Sequence, residues 1–169
     1  MNRMGYLENA IINYNHAYKL NNSKIEIKWN ISNCNLLLGN FRDGWKDFET
    51  RQKKSEWTPR NFNFRPLENR DQIPGSCIYM FCEQGLGDTI QFARYAKTFV
   101  DLGAKVILEV QKPLVGLLGS FPGLTIVSRG QVIPDADFHI PIMSCPRILE
   151  TDLSNIPEVT KINKDEALS

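Results

Sequence analysis

The chain has 169 residues, of which 42% are hydrophobic and 23% charged, with a formal net charge of +1. A balance so near zero argues against a dedicated nucleic-acid binder, which normally carries a strong basic excess. No apolar run approaches the roughly 18–20 residues of a membrane span, and the N-terminus MNRMGYLENA lacks the apolar core of a signal peptide. A cytoplasmic protein with one core, or one core plus a small appendage, is expected.

The charge is mildly uneven: residues 1–74 carry 12 Lys and Arg against 8 Asp and Glu, and residues 75–169 carry 8 against 11. That difference is too small to name a partner. Cys34, Cys77, Cys82 and Cys145 form no CxxC pair and read as reduced thiols rather than a disulfide framework. With His16 and His139 as the two histidines, no metal-ligand cluster is visible, and no metal is expected.

Taken in chain order, residues 5–20 place Leu7, Ala10, Ile11, Tyr14, Ala17 and Leu20 at steps of three and four, which predicts a helix with one apolar face. A second helix is predicted from about Ile25 to a stop at Gly39, and a third from Phe41 through Trp45 and Phe48. A shift of 34 residues lays Gly5 on Gly39, Leu7 on Phe41, Ala10 on Gly44, Ile11 on Trp45 and Tyr14 on Phe48. That period, with a turn glycine and a small residue five positions later, resembles the tetratricopeptide repeat over residues 5–51. Asn22 stands where the motif usually has proline, and Arg51 where it prefers alanine. The alternative is three generic amphipathic helices. Such a piece buries little by itself and is expected to pack on a neighbour or on further repeats.

Residues 52–75 lose all periodicity, carry three prolines and read as an extended linker. Trp57, Phe62 and Phe64 are expected to pin this linker to the lobe that follows. Arg51, Lys53 and Lys54 read as a solvated helix end, where cations suit the helix dipole.

From Ser76 the pattern alternates strand and helix. Strands are expected at about 77–82, 105–110, 124–127 and 138–141, with a last short one at Val159–Ile162. Helices are expected at about 88–102, stopped by Gly103, at 113–118, and from Ser144 or Cys145 to Leu149. Strands separated by helices predict an α/β fold with a parallel, helix-covered sheet. The resulting division is 1–54 for the helices, 55–75 for the linker and 76–169 for a Rossmann-like lobe.

The most informative stretch is SCIYMFCEQGLGDTIQFAR, residues 76–94. Strand, glycine turn and helix start in that order make a corner where backbone amides can meet an anionic ligand. A phosphate loop of the GK[ST] kind is excluded, because Asp88 and Thr89 follow Gly87. A dinucleotide fingerprint lacks its third glycine, Ile90 standing there, although Glu109 lies about where a ribose-binding acid belongs.

EQGLGDTIQFARYA, with LGAKVILEVQKPLVGLL and PIMSCPRIL further on, resembles the N-terminal lobe of GT-B glycosyltransferases of the heptosyltransferase-like family. In particular it is similar to the branch in which tetratricopeptide repeats precede that lobe. The likeness covers the chain to about Ile156. It implies that Asp88 is the base that deprotonates an acceptor hydroxyl, a role suited to a carboxylate beside the attacking oxygen. The other reading of Asp88 is a helix cap. The likeness further implies substrate contacts from Glu83, Gln84, Gly85, Gly87 and Ser144, while Arg94 reads as a surface or ion-pair arginine. It implies no bound cofactor. A nucleotide-sugar donor would be the co-substrate, held mainly by a C-terminal lobe that this sequence lacks. The expected activity is therefore that of an acceptor-side half, incomplete unless another chain supplies the donor lobe. From a different class comes a non-catalytic interaction module whose helices bind a protein partner. A small dinucleotide-binding protein using Glu109 is a third reading.

Overall fold

Helical periodicity sets the first three elements. In the computed structural model, which describes residues 3–119 and 122–158, they are α1 (Arg3–Leu20), α2 (Ile25–Leu38) and α3 (Phe41–Phe48). The chain separates into two compact units, one running to Asn61 and including Glu150–Ile156, the other formed by Phe62–Leu149 with Pro157 onward.

In the helical unit α2 packs against both α1 and α3. Gly39 closes α2 with φ at +84°, and Asn40 N–H donates to the Asn35 carbonyl at 2.8 Å. A side chain is strained at that φ, so glycine is the natural stop. Gly44 has a different role. A Cβ there would stand 2.7 Å from a Leu36 methyl and 3.2 Å from the Leu36 backbone nitrogen, so the missing side chain is what lets α3 approach α2. Ser32 fastens the same contact by donating to the Gly44 carbonyl at 3.1 Å.

Phe48, 6% exposed, is the hub of this unit, with Trp29 at 4.9 Å and Trp45 at 5.5 Å between ring centroids. Trp45 Nε1 also donates to the Thr151 carbonyl at 3.1 Å, tying the 150–156 segment to the helices. Two expectations are corrected here. Arg51 is no solvated helix end: it is 3% exposed, lies over the rings of Phe48 and Trp57, and meets Glu49 at 2.8 Å. A planar guanidinium can stack and pair at once, which is how the charge is accommodated under cover. Trp57 accordingly belongs with the helical unit and not with the lobe that follows.

The second unit is an α/β, Rossmann-like lobe whose strands all run parallel. They are β1 (Arg65–Pro66), β2 (Cys77–Phe81), β3 (Lys105–Val110), β4 (Leu124–Ser128) and β5 (Phe138–Pro141), in the spatial order β1-β5-β2-β3-β4. The apolar runs of β2 and β3 are buried along nearly their whole lengths, as central parallel strands require. Because side chains alternate, one sheet face carries Ile78, Met80, Val106, Leu108, Phe138 and Ile140. The opposite face carries Tyr79, Phe81, Ile107, Glu109 and His139.

Three details differ from the sequence reading. The helix expected over 88–102 is two, α4 (Leu86–Phe92) and α5 (Arg94–Asp101). Arg94 Nε donates to the Gln91 carbonyl at 2.8 Å and Ala96 N–H to that of Ala93 at 3.0 Å, which diverts the regular ladder and bends the chain at Ala93. The helix expected over 113–118 is a single tight turn, Lys112–Leu114, since Gly116 and Gly119 weaken its continuation. The linker is not merely extended: it supplies the edge strand β1, the turn Arg70–Gln72 capped by Asn69, and the fully buried Ile73. Phe62 and Phe64 do lie on the sheet, packed at tilted and edge-on angles against Tyr79 and His139. The short strand expected at Val159–Ile162 falls outside the described residues. α6 (Cys145–Ile148), which ends at Leu149, is the last regular element among the described residues.

Candidate functional site

The strand order creates the site. From β2 the chain steps outward through β3 and β4, then crosses back to place β5 on the other flank of β2. At such a reversal the loops leaving the two central strands diverge, and a crevice opens beyond their carboxyl ends. The loops there are 82–85 after β2 and Ile142–Ser144 after β5, so the glycine turn and the MSCPRIL segment meet at one place.

Glu83 joins them. Its Oε1 accepts from the Met143 amide at 2.9 Å, so the half-buried carboxylate braces the loop after β2 against the loop after β5. On the other flank Gln111, directly after β3, donates Nε2 to the Gln84 carbonyl at 2.8 Å. Gln111 was not singled out from the sequence. The signal was present, since a polar residue just past the carboxyl end of a parallel strand borders the crevice by topology alone. Replacing Glu83 with Ala is expected to speed hydrogen exchange at the Met143 amide while Glu83→Gln, which keeps an acceptor oxygen, leaves it near wild type. Equal exchange in both variants would remove the bracing role.

Gln84, Gly85, Leu86 and Gly87 are exposed. Gly85 has φ −73° and Gly87 lies within the first turn of α4, so neither conformation demands glycine. A Cβ on Gly87 would meet nothing within 4 Å, and one on Gly85 only Asp88 Oδ2 at 3.6 Å. The turn therefore presents bare backbone. Asp88 is partly exposed, and its Oδ2 accepts from the Gly85 amide at 3.2 Å. This reaches back to the residue before the helix, unlike a cap that holds the following amides. Thr89 fixes the turn from within, its hydroxyl and its amide both donating to the Gly85 carbonyl at 3.2 Å.

Ser144 stands in the loop after β5 but is 1% exposed, so its hydroxyl is shielded from solvent. Arg94 bonds main-chain carbonyls, Gln91 through Nε and Pro157 through a terminal nitrogen at 3.4 Å. Glu109 is corrected most sharply. It pairs in register with Phe81, is 1% exposed, accepts from the Tyr79 hydroxyl at 2.6 Å and from the Cys82 thiol at 3.5 Å. A carboxylate so enclosed is a core residue, not a ribose ligand.

Comparison with protein-family models, curated proteins and solved structures returned no match to this chain. Among the described residues no group of His, Cys, Asp or Glu is placed to hold a metal ion, and no helix is long and apolar enough to cross a membrane. Chemically, this corner offers two partly exposed carboxylates, Glu83 and Asp88, and a bare backbone turn held in place by Glu83 and Gln111.

Proposed function

We propose that this chain is the acceptor-side part of a GT-B glycosyltransferase of the heptosyltransferase-like kind, with Asp88 as the base. The observation that supports it is the position of the EQGLGD turn at the sheet's reversal point, with exposed glycine backbone beside a partly exposed carboxylate. The reaction is transfer of a sugar from a nucleotide donor to an acceptor hydroxyl. Asp88 takes the hydroxyl proton as the oxygen attacks the anomeric carbon, and the nucleoside diphosphate leaves with the bonding pair. Gly85 and Gly87 let the acceptor approach the backbone, Gln84 lies beside them, and Glu83 serves more as a brace than as a ligand. A donor-binding lobe, on this protein or on another chain, completes the site.

The test is transfer by the protein isolated from its source with whatever co-purifies, supplied with nucleotide sugars. Asp88→Asn is expected to lower the rate by about 10²–10⁴-fold, the usual worth of a general base, with folding unchanged. A wild-type rate in that variant overturns the base assignment.

A second reading, a tetratricopeptide-type module that docks a partner protein, is favoured by α1. It exposes Met4, Tyr6, Ile12 and Leu20, from 57% to 77%, where a surface helix typically turns charged and polar residues outward. Loss of a co-purifying partner on changing Ile12 to Asp, with no effect of Asp88→Asn, would favour it.

A further inference from the structure

One sheet face is closed by rings. His139 on β5 has Phe62 at 4.5 Å, Phe64 at 6.0 Å and Phe81 at 6.1 Å between centroids, and Phe62 stacks on Phe64 at 5.3 Å. The same histidine holds the incoming segment by its backbone: the Leu67 amide donates to the His139 carbonyl at 2.9 Å, next to the two-residue pairing of β1 with β5. So short a strand contributes little by itself, and the ring stack carries much of the attachment.

The imidazole is poorly placed to become charged. Its Nδ1 is buried and has no hydrogen-bond partner among the described residues. Protonation there would create a buried N–H with no acceptor, an expensive outcome. The neighbouring groups offer no ready relief. Phe62, Asn63 and Phe64 of the covering segment are uncharged, and the Arg65 guanidinium lies over the ring of Phe138, on the opposite face. From β2 the register partner is Tyr79, whose hydroxyl is committed to Glu109 of β3. Asp137, just before β5, is bonded to the Cys77 amide.

We propose that His139 is an acid-sensitive latch on the 62–67 segment, which joins the helical part of the sequence to the sheet. Neutral, the ring completes the stack that seats Phe62 and Phe64. Charged, it draws water into that stack and frees the segment. Burial holds His139 below the ordinary imidazole value of 6.5, which agrees in direction. The unfolded chain thus takes up a proton before the folded one does. The latch is fully closed above about pH 6.5 and loosens as the pH falls below it.

The experiment is hydrogen exchange across residues 62–67 of the full chain, at pH 7.5 and 5.5, corrected for intrinsic exchange rates. In the wild type, protection of the Leu67 amide is expected to fall several-fold at the lower pH while β2 and β3 keep theirs. His139→Phe, which keeps the stack and cannot titrate, should abolish that fall. Unchanged protection in the wild type, or an equal fall in His139→Phe, overturns the latch. If His139→Phe does not fold, the imidazole resonance of His139 is followed by NMR, with His16→Gln making the assignment. Titration in step with the Phe62 and Phe64 ring signals supports the latch, and titration that leaves those signals unmoved overturns it.

Discussion

Phe48→Ala is expected to unfold the helical unit. The side chain is buried between Trp29, Trp45 and Arg51, and truncating a buried phenylalanine costs about 3–5 kcal/mol. Few side chains of this unit are fully covered, since α1 buries none among its described side chains and α2 only Ile31, Ser32 and Cys34. A loss of that size is a large share of what so small a core supplies. Arg51 adds to it, because the ring over which its guanidinium lies would be gone. The measurement is the loss of helical circular dichroism, read beside exchange protection of β2 and β3, which should persist. A variant that melts like the wild type would show that the three helices do not depend on this hub.

Glu109→Ala is the second large effect. It removes a buried side chain and strips the acceptor from the Tyr79 hydroxyl, which is itself fully buried. An unsatisfied buried donor costs about 1–3 kcal/mol, and the cavity adds to that. Glu109→Gln should be far milder, because an amide oxygen can still accept from Tyr79. The double change Glu109→Met with Tyr79→Phe removes donor and acceptor together, and should recover much of the loss seen in Glu109→Ala. Denaturant unfolding of the four proteins decides it. If Glu109→Gln is as damaging as Glu109→Ala, the hydrogen bond is not the reason the carboxyl is there.

The same residue shows where sequence reading runs out. Glu109 sits one residue from the end of a strand in a one-dimensional pattern, where a ribose-binding acid would also sit. Only the pairing of β3 with β2 turns it inward against Tyr79 and Cys82. Arg51 shows the same limit. Along the chain it belongs to a basic cluster, and the decision between solvent and burial rested on Phe48 and Trp57 arriving from either side.

The sequence by itself determined the elements whose causes are local. The steps of three and four residues gave α1, α2 and α3, and Gly39 ended α2 because it alone adopts the left-handed turn without strain. The apolar runs gave β2 and β3, and the alternation of strand and helix gave the parallel sheet. Glu83, Gly85, Gly87 and Asp88 were legible as one corner because they are neighbours in the chain. Tertiary structure alone decided that β5 lies beside β2, and hence that Glu83 reaches Met143, sixty residues away, and that Gln111 holds Gln84. It alone drew strand β1 out of a proline-rich linker, and it alone set His139 among three aromatic rings. Periodicity reports what a segment does with its own backbone. Partners that are distant in sequence are chosen by packing, in which each side chain finds its neighbour only once the sheet order is fixed.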